Sequence, residues 1–332
     1  MTNEEGIARL TKDQKEAAKN LNPEEVRYFV DNYYMIQENR KASGNQRWAL
    51  EQNQEPNQLI SWYFDQNKAL EQRAKKVLDI YTDQNPTTIW AKGIVGIGPV
   101  ISAGLIAYID ITRAPTAGHI WSYAGLNPSV RWLGNEGAEK VVKEITGKKS
   151  GNVTNEDIVN VANRVNRRPE NIFLAMNTGG KDGETLPYTV KSLVKCVAKR
   201  PWNHNLKVLC WKIGESFMKV SNRPNDFYGK LWAERKERET IKNANGDFKP
   251  QADSLVENAS PKYKQTEAYQ HNLEGRLSPG HINERAKRYA VKLFLAHFHE
   301  VYYMNHYGKK PPNPYPIAHL GHTHKIEPPG LD

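Results

Sequence analysis

Two glycines one residue apart, Gly96 and Gly98, separate two apolar stretches whose spacing predicts helices. Glycine lets a backbone turn tightly and approach another surface closely. Pro99 follows at the start of the second stretch, where its missing N–H would have no partner within the helix. The free N–H groups of a first helical turn and the helix dipole suit a phosphate oxygen. The pattern predicts a helix-hairpin-helix that binds a nucleic-acid backbone, and a buried helix pair with glycines used only for packing is the alternative.

Basic residues that would support phosphate binding are concentrated in one segment. Residues 191–242 contain 13 Lys and Arg against 5 Asp and Glu, a net of +8, whereas residues 1–88 contain 12 against 14. This distribution favours a polyanionic partner, DNA first, over a merely solvated basic surface. The residues predicted to bind phosphate are Lys92, Gly96, Ile97, Gly98, Val100 and Arg131. The predicted supporting cations are Lys195, Lys199, Arg200, Lys207 and Lys212.

Histidines offer a second kind of chemistry at the end of the chain. Six of the ten fall in the last 36 residues, and His319, His322 and His324 have a spacing that would let three imidazoles surround a metal. A tail that packs on the domain or stacks on nucleic acid is the alternative, because zinc-finger spacing is absent. His297 lies on an apolar helical stripe and is predicted to be a hydrogen-bonded core residue.

Several classes of protein are excluded. No run of ~18 apolar residues is present, so no membrane span is expected, and the polar, acidic first ten residues resemble no targeting peptide. Cys196 and Cys210 are predicted to be small buried hydrophobes in a reduced, cytoplasmic protein. No Walker A, GxGxxG or HExxH motif occurs, so no cofactor is evident.

Two roles are open for the aromatic residues that lie among the lysines and arginines. Trp202, Trp211, Trp232 and Tyr228 are predicted to lie mostly in the core; any that are exposed would suit stacking on unpaired bases.

The elements that position these residues are predicted to be helices, so the fold class is mainly α. Asn22-Pro23-Glu24-Glu25 combines a cap, a first-turn proline and two acids, and a second helix is expected over about 59–81. The Gln- and Asn-rich stretch between them, Glu38 to Gln58, is polar and has few strand signals. Two short helices are expected over 154–176 and a final one over about 282–307. Residues 240–282, rich in Asn, Gln, Ser and Pro, are predicted to be mobile or loosely packed.

The glycine segment also resembles a known family. Residues 93–107, GIVGIGPVISAGLIA, followed by residues 119–128, HIWSYAGLNP, are similar to the C-terminal domain of the IS-one-ten insertion-sequence transposases, also called bridge-RNA-guided recombinases. Members typically contain GIGPxxAAxLLAEI and then LxxYAGLxP. The resemblance covers residues 60–130 well and 190–310 weakly. It implies a helix-hairpin-helix transposase core that handles DNA.

Two departures from this family bear on catalysis. Its members begin with a RuvC-like nuclease domain whose four acids bind metal, and the 88 residues before the hairpin here indicate helices instead. The family also has a nucleophilic serine shortly after its YAGLxP motif, where this chain has Leu133. Ser129, four residues earlier, is the remaining candidate nucleophile. The catalytic residues are therefore unknown, and Mg²⁺ is expected only if a nuclease activity exists.

The predicted organisation has five parts: a helical N-terminal region (1–88), a helix-hairpin-helix transposase-like core (89–150), a small helical insert (151–184), a basic helical region completing the core (185–310) and a Pro/His-rich irregular tail (311–332). The expected function is a transposase-related protein that binds double-stranded or branched DNA without a complete catalytic site of its own. A diverged transposase or nuclease active in a homo-oligomer or with a partner is one alternative. A non-catalytic scaffold or RNA-binding protein is another.

Overall fold

The computed structural model describes residues 7–127, 130–313, 321 and 325–331. Within them the chain forms fifteen α-helices and no β-strand, which confirms the mainly α fold class. None of the helices in these ranges combines the length and apolarity that a membrane crossing requires. The helices are α1 (Lys12–Lys19), α2 (Pro23–Gln52), α3 (Gln58–Thr82), α4 (Pro86–Gly93), α5 (Pro99–Tyr108), α6 (Ala117–Tyr123), α7 (Gly134–Thr146), α8 (Asn155–Arg164), α9 (Pro169–Asn177), α10 (Val190–Ala198), α11 (His204–Val220), α12 (Tyr228–Ala244), α13 (Lys249–Glu257), α14 (Glu267–Leu273) and α15 (Pro279–Tyr307).

The chain forms two compact units. Unit 1 comprises Met1–Gly118 and Leu209–Asp332, and unit 2 comprises His119–Val208. The finer five-part division made from the sequence stays a prediction.

Unit 1 contains a long antiparallel pair, α2 and α3. The Asn22 side chain accepts from the N–H groups of Glu24 and Glu25, which completes a capping box at the start of α2. The Gln- and Asn-rich stretch over Glu38 to Gln58 is mostly helical, because α2 continues to Gln52. Gln and Arg are good helix formers, whereas the Asn, Ser and Gly residues of this stretch are weak ones, so packing against α3 is needed to keep the whole stretch helical.

A polar network joins the two long helices. Arg40 on α2 donates through Nε to the Glu71 carboxylate on α3, and Gln37 donates to the same carboxylate at 3.0 Å. Burial opposes ionisation of Glu71, but the hydrogen bonds from Arg40 and Gln37 hold the pKa of this carboxyl below its ordinary value. The network therefore fixes the register of α2 against α3.

Replacing Glu71 by Ala should destabilise the protein by about 2 kcal/mol, because the partly buried Arg40 and Gln37 donors lose a charged acceptor. Urea unfolding followed by circular dichroism would measure it. The control is Glu51→Ala, which removes the exposed Arg47–Glu51 pair and should cost no more than about 0.5 kcal/mol. Equal losses in the two variants would contradict the importance of the network.

The aromatic core of unit 1 gathers around Phe294 on α15. Phe217 and Tyr228 contact it edge to face at centroid distances of 5.5 and 5.3 Å, and the Trp90 indole stacks on it at 6.1 Å. Such aromatic pairs stabilise the core by more than the burial of their surface alone would. The predicted core position of Tyr228 is confirmed, since it is fully buried.

The end of the chain packs on this core. His297, which is buried, accepts from the Tyr228 hydroxyl at Nδ1 (2.7 Å) and donates through Nε2 to the carbonyl of Ile326 (2.8 Å). The Trp90 indole donates to the Pro329 carbonyl at 2.8 Å. The prediction that His297 is a hydrogen-bonded core residue is confirmed.

Residues 240–282 are more ordered than predicted. They contain α13 and α14, and Ala252, Leu277 and Ile282 form a small buried cluster. The Asn243 side chain donates to the Leu277 carbonyl and accepts from its N–H, each at 2.8 Å. The cluster was not predicted because it contains few apolar residues within a segment of polar composition.

Unit 2 includes the bundle α7–α10. Its core contains Ile158, Ile172, Met176 and Leu193, all almost completely buried. The two short helices predicted over 154–176 are confirmed as α8 and α9. The Thr154 side chain caps α8 in a capping box with Asp157.

His297 should make stability depend on pH. Burial lowers its pKa to about 4, so between pH 4 and 6.5 the unfolded chain binds a proton that the folded one does not. The free energy of unfolding should therefore fall by about 2 kcal/mol through this group from pH 7 to 5, and the loss should level off below pH 4. Urea titrations across this range would measure it. His297→Gln should flatten the profile, whereas His306→Gln, at an exposed position on the same helix, should leave its slope unchanged.

Candidate functional site

The turn between α4 and α5 is the centre of the candidate site. Gly96 has a φ of +95°, in the region that favours glycine, and a Cβ there would lie 3.1 Å from both Ser216 Oγ and Val220 Cγ2. The Ser216 hydroxyl donates to the Gly96 carbonyl at 2.5 Å. Gly96 therefore serves the close packing of the turn against α11.

Gly98 has a different role in the same turn. It is the N-cap of α5 with an extended backbone (φ −104°, ψ 178°), and a Cβ there would meet no atom within 4 Å. Pro99 occupies the first turn, and no side chain caps this end of α5. The side chains of Ile97 and Val100 are buried, so these two predicted site residues have only backbone atoms to offer a ligand.

An open cleft of about 350 Å³ lies at this end of α5. It is bounded by residues of α2, α3 and α11 together with the start of α5. Four lysines line it, against one carboxylate, that of Glu215, which is paired with Lys287. The lining residues are Tyr33, Tyr34, Gln37, Lys41, Lys75, Gly98, Pro99, Val100, Ile101, Trp211, Lys212, Glu215, Ser216 and Lys219.

Lys212 is the half-buried lysine of the cleft. Its ammonium lies 3.9 Å from the centroid of the Tyr34 ring, a cation–π geometry. Burial lowers the pKa of Lys212, and the charges of Lys41 and Lys219 lower it further against the opposing effect of Glu38. An anion in the cleft would relieve this repulsion between like charges.

Lys92, predicted to bind phosphate, is committed to two carboxylates. Its ammonium contacts Asp79 Oδ1 at 3.0 Å and also pairs with Asp83. Burial opposes protonation, but the hydrogen bonds to Asp83 and Asp79 raise the pKa of Lys92. Contact between Lys92 and a phosphate would require this pairing to open.

Five predicted cations lie in unit 2. Lys195 and Lys199 share a shallow cleft with Lys191 and Glu139. The Arg200 guanidinium carbon lies 4.9 Å from the Trp132 ring centroid and Lys207 Nζ lies 3.8 Å from that of Trp202. Arg131 is exposed. Of the predicted residues, the unit 1 cleft brings together Gly98, Val100 and Lys212.

The YAGL motif of unit 2 has a packing role. Gly125 has a φ of +68°, and a Cβ on it would lie 2.7 Å from the Trp202 ring. The Asn203 N–H donates to the Tyr123 carbonyl at 2.8 Å, and the Asn203 amide donates to the Tyr123 hydroxyl at 3.0 Å. The motif thus joins α6 to the segment before α11.

The structure describes only some of the candidate catalytic and metal-binding residues. Leu133, which the resemblance aligns with the family's serine, packs against the core of unit 2. Ser129 lies outside the described residues, as do His319, His322 and His324. Within the described ranges, no three or more His, Cys, Asp or Glu side chains are grouped to hold a metal.

Both cysteines are buried, as predicted. Burial raises the pKa of Cys196, and it raises that of Cys210 to about 12.

Sequence reasoning missed part of the cleft. Lys41, Lys75 and Lys219 line it, and two of them come from the N-terminal region whose net charge is negative. The net charge of a segment does not show which of its lysines lie at the cleft. Trp211 is 56 % exposed, so it departs from the core position favoured for most of the tryptophans.

Comparison with known proteins supports a transposase relationship. Residues 91–145 match the model of the family described as "Transposase IS116/IS110/IS902 family". The match includes the α4–α5 turn, the YAGL motif and most of α7, which is a small part of the 332 residues. No curated protein and no solved structure matches the chain. The resemblance stated from the sequence is confirmed for this domain.

The two glycines of the turn should respond differently to alanine. Gly96→Ala should destabilise the protein by about 2 kcal/mol, because a Cβ at positive φ is strained and would crowd Ser216. Gly98→Ala, at an ordinary φ facing open space, should stay within about 0.5 kcal/mol of the parent, because the smaller conformational entropy of the unfolded chain offsets the poorer N-cap that alanine makes. Thermal and urea unfolding of the matched pair measure this. A similar loss in both variants would contradict the assignment of packing to Gly96 alone.

Proposed function

We propose that this chain is a transposase-related DNA-binding protein that contacts the phosphate backbone through the α4–α5 turn as a helix-hairpin-helix. The observation that carries the proposal is the first turn of α5, capped by Gly98, at the wall of a lysine-lined cleft. A helix N-terminus without a side-chain cap presents backbone N–H groups and a partial positive charge to an anion. The lysines add the longer-range attraction.

Such binding is independent of base sequence. Contacts to phosphate fix the register of a protein on DNA without reading bases. Each phosphate neutralised by a lysine releases condensed counterions, so the affinity falls steeply with salt. The similarity of residues 91–145 to a transposase family supports DNA, among polyanions, as the partner.

We also propose that the catalytic site is incomplete in this chain. Leu133 stands at the position where the resembled family has its nucleophilic serine, and a leucine side chain has no atom that can attack a phosphodiester. Its packing against the apolar core of unit 2 gives the residue a structural role instead. Strand transfer would then need a nucleophile from elsewhere.

The turn is tested best at Gly98, because Gly96 is needed for packing. Fluorescence anisotropy with a labelled short duplex and a four-way junction, repeated over a range of salt, would measure affinity. Gly98→Glu should weaken binding roughly tenfold or more, because its carboxylate competes with phosphate at the start of α5. Gly98→Ala is the matched control and should bind within about twofold of the parent.

Two outcomes would contradict the proposal. One is an affinity that does not fall with salt. The other is equal binding by Gly98→Glu and Gly98→Ala, with circular dichroism showing both variants folded. Lys212→Gln provides an independent check, because it removes a cleft charge and should lower the slope of log affinity against log salt by about 1.

A further inference from the structure

We infer that the cleft of unit 1 accepts an unpaired nucleotide of a DNA strand, whose base stacks on the exposed indole of Trp211. This inference rests on the proposed function and deepens it, because it names the form of DNA that the cleft recognises. It is carried by three features of the cleft: its aromatic surface, its charge and its size.

Trp211 has the exposure that a stacking surface requires. It is 56 % exposed on α11 and belongs to the lining of the cleft. Exposed single apolar side chains are common on protein surfaces; Trp211 differs from them in lining a cleft together with four lysines. Aromatic rings beside lysines are the combination that binds single-stranded nucleic acid, because every base has a face that can stack.

The charge of the cleft selects an anion as the rest of the ligand. Lys75 and Lys219 are exposed, as is Lys41, which pairs with Glu38 one turn earlier on α2 at 2.8 Å. Lys212 is held over the Tyr34 ring. The Glu215 carboxylate is already paired with Lys287 on α15. A phosphate alone would use the lysines but not the indole, whereas an apolar protein surface would use the indole but not the lysines. A nucleotide uses both.

The size of the cleft fits one nucleotide better than a duplex. Its volume of about 350 Å³ is at the lower end of the range for sites that enclose small ligands, about 300–1,000 Å³. Within a duplex the bases are stacked on one another, so a base must be unpaired before its face can meet a side chain. The ligand is therefore a gapped, frayed or single-stranded segment.

The test compares a duplex with the same duplex carrying a short single-stranded dT gap. The parent should bind the gapped DNA more tightly. Trp211→Ala should lower affinity for the gapped DNA roughly tenfold and change affinity for the intact duplex less than twofold. Trp211→Phe should keep most of the preference. Trp48→Ala is the matched control, since Trp48 is 62 % exposed on α2 and is not among the lining residues; it should change neither affinity.

A direct readout uses protein labelled with 5-fluorotryptophan. The resonance of Trp211, assigned by its loss in Trp211→Phe, should shift when a dT oligonucleotide is added, and that of Trp48 should not. An unmoved Trp211 resonance, or equal affinities for gapped and intact DNA in the parent, would overturn the inference. Salt-dependent duplex binding that is weakened by Gly98→Glu would still support the proposed function. If the parent bound neither the gapped nor the intact DNA, both the inference and the proposed function would be overturned.

Discussion

Unit 1 depends on the close packing of α11 between α5 and α15, which glycines permit. A Cβ at Gly104 of α5 would lie 2.8 Å from Leu209 Cδ2, and one at Gly214 would lie 3.3 Å from Lys287 Cβ. Protein interiors are packed too densely to absorb such additions without shifting a helix. Gly96 makes the third close approach, and its carbonyl accepts from Ser216 on α11. The packing that builds the core therefore also positions the first turn of α5 at the cleft.

Two of the largely buried lysines of unit 1 differ from two lysines of the cleft in their partners. Lys92 and Lys287 are largely buried, and each pairs with two carboxylates. Burying an unpaired ammonium costs several kcal/mol of folding free energy. These two lysines are therefore buried together with their carboxylates as structural ion pairs. Lys75 and Lys219 instead remain exposed at the cleft. The difference depends on which carboxylates the packing of the helices places beside each lysine. The composition of a segment does not show this.

The sequence was most informative where local signals fix an element. Caps and prolines marked the start of α2, and the predicted ends of α3 and α15 are within about three residues of the observed ones. The continuation of α2 through its polar half was missed, because contacts with α3 decide it. The glycine turn was found from residue types and spacing.

The lysines of the cleft could not be assigned in the same way. The pairing of Lys92 depends on the approach of α4 to Asp79 and Asp83 at the end of α3. The approach of Lys41 and Lys75 to the turn depends on the register of α2 against α3. That register is set by the contact of Arg40 and Glu71, 31 residues apart. Long-range contacts of this kind leave no periodic signal in the sequence.

The residue types in the cleft favour recognition of DNA structure over recognition of its sequence. Base edges are read by planar, bidentate groups such as arginine guanidinium and the amides of Asn and Gln. The cations that line the cleft within the described residues are lysines, which act as flexible point charges suited to phosphate. Gln37, the one amide side chain in that lining, is already directed at Glu71 and Tyr33. In the proposed complex, backbone N–H groups and lysines would position the phosphates, and the ring of Trp211 would distinguish an unpaired base from a stacked one. Selection by these means would respond to an opened strand whatever its sequence.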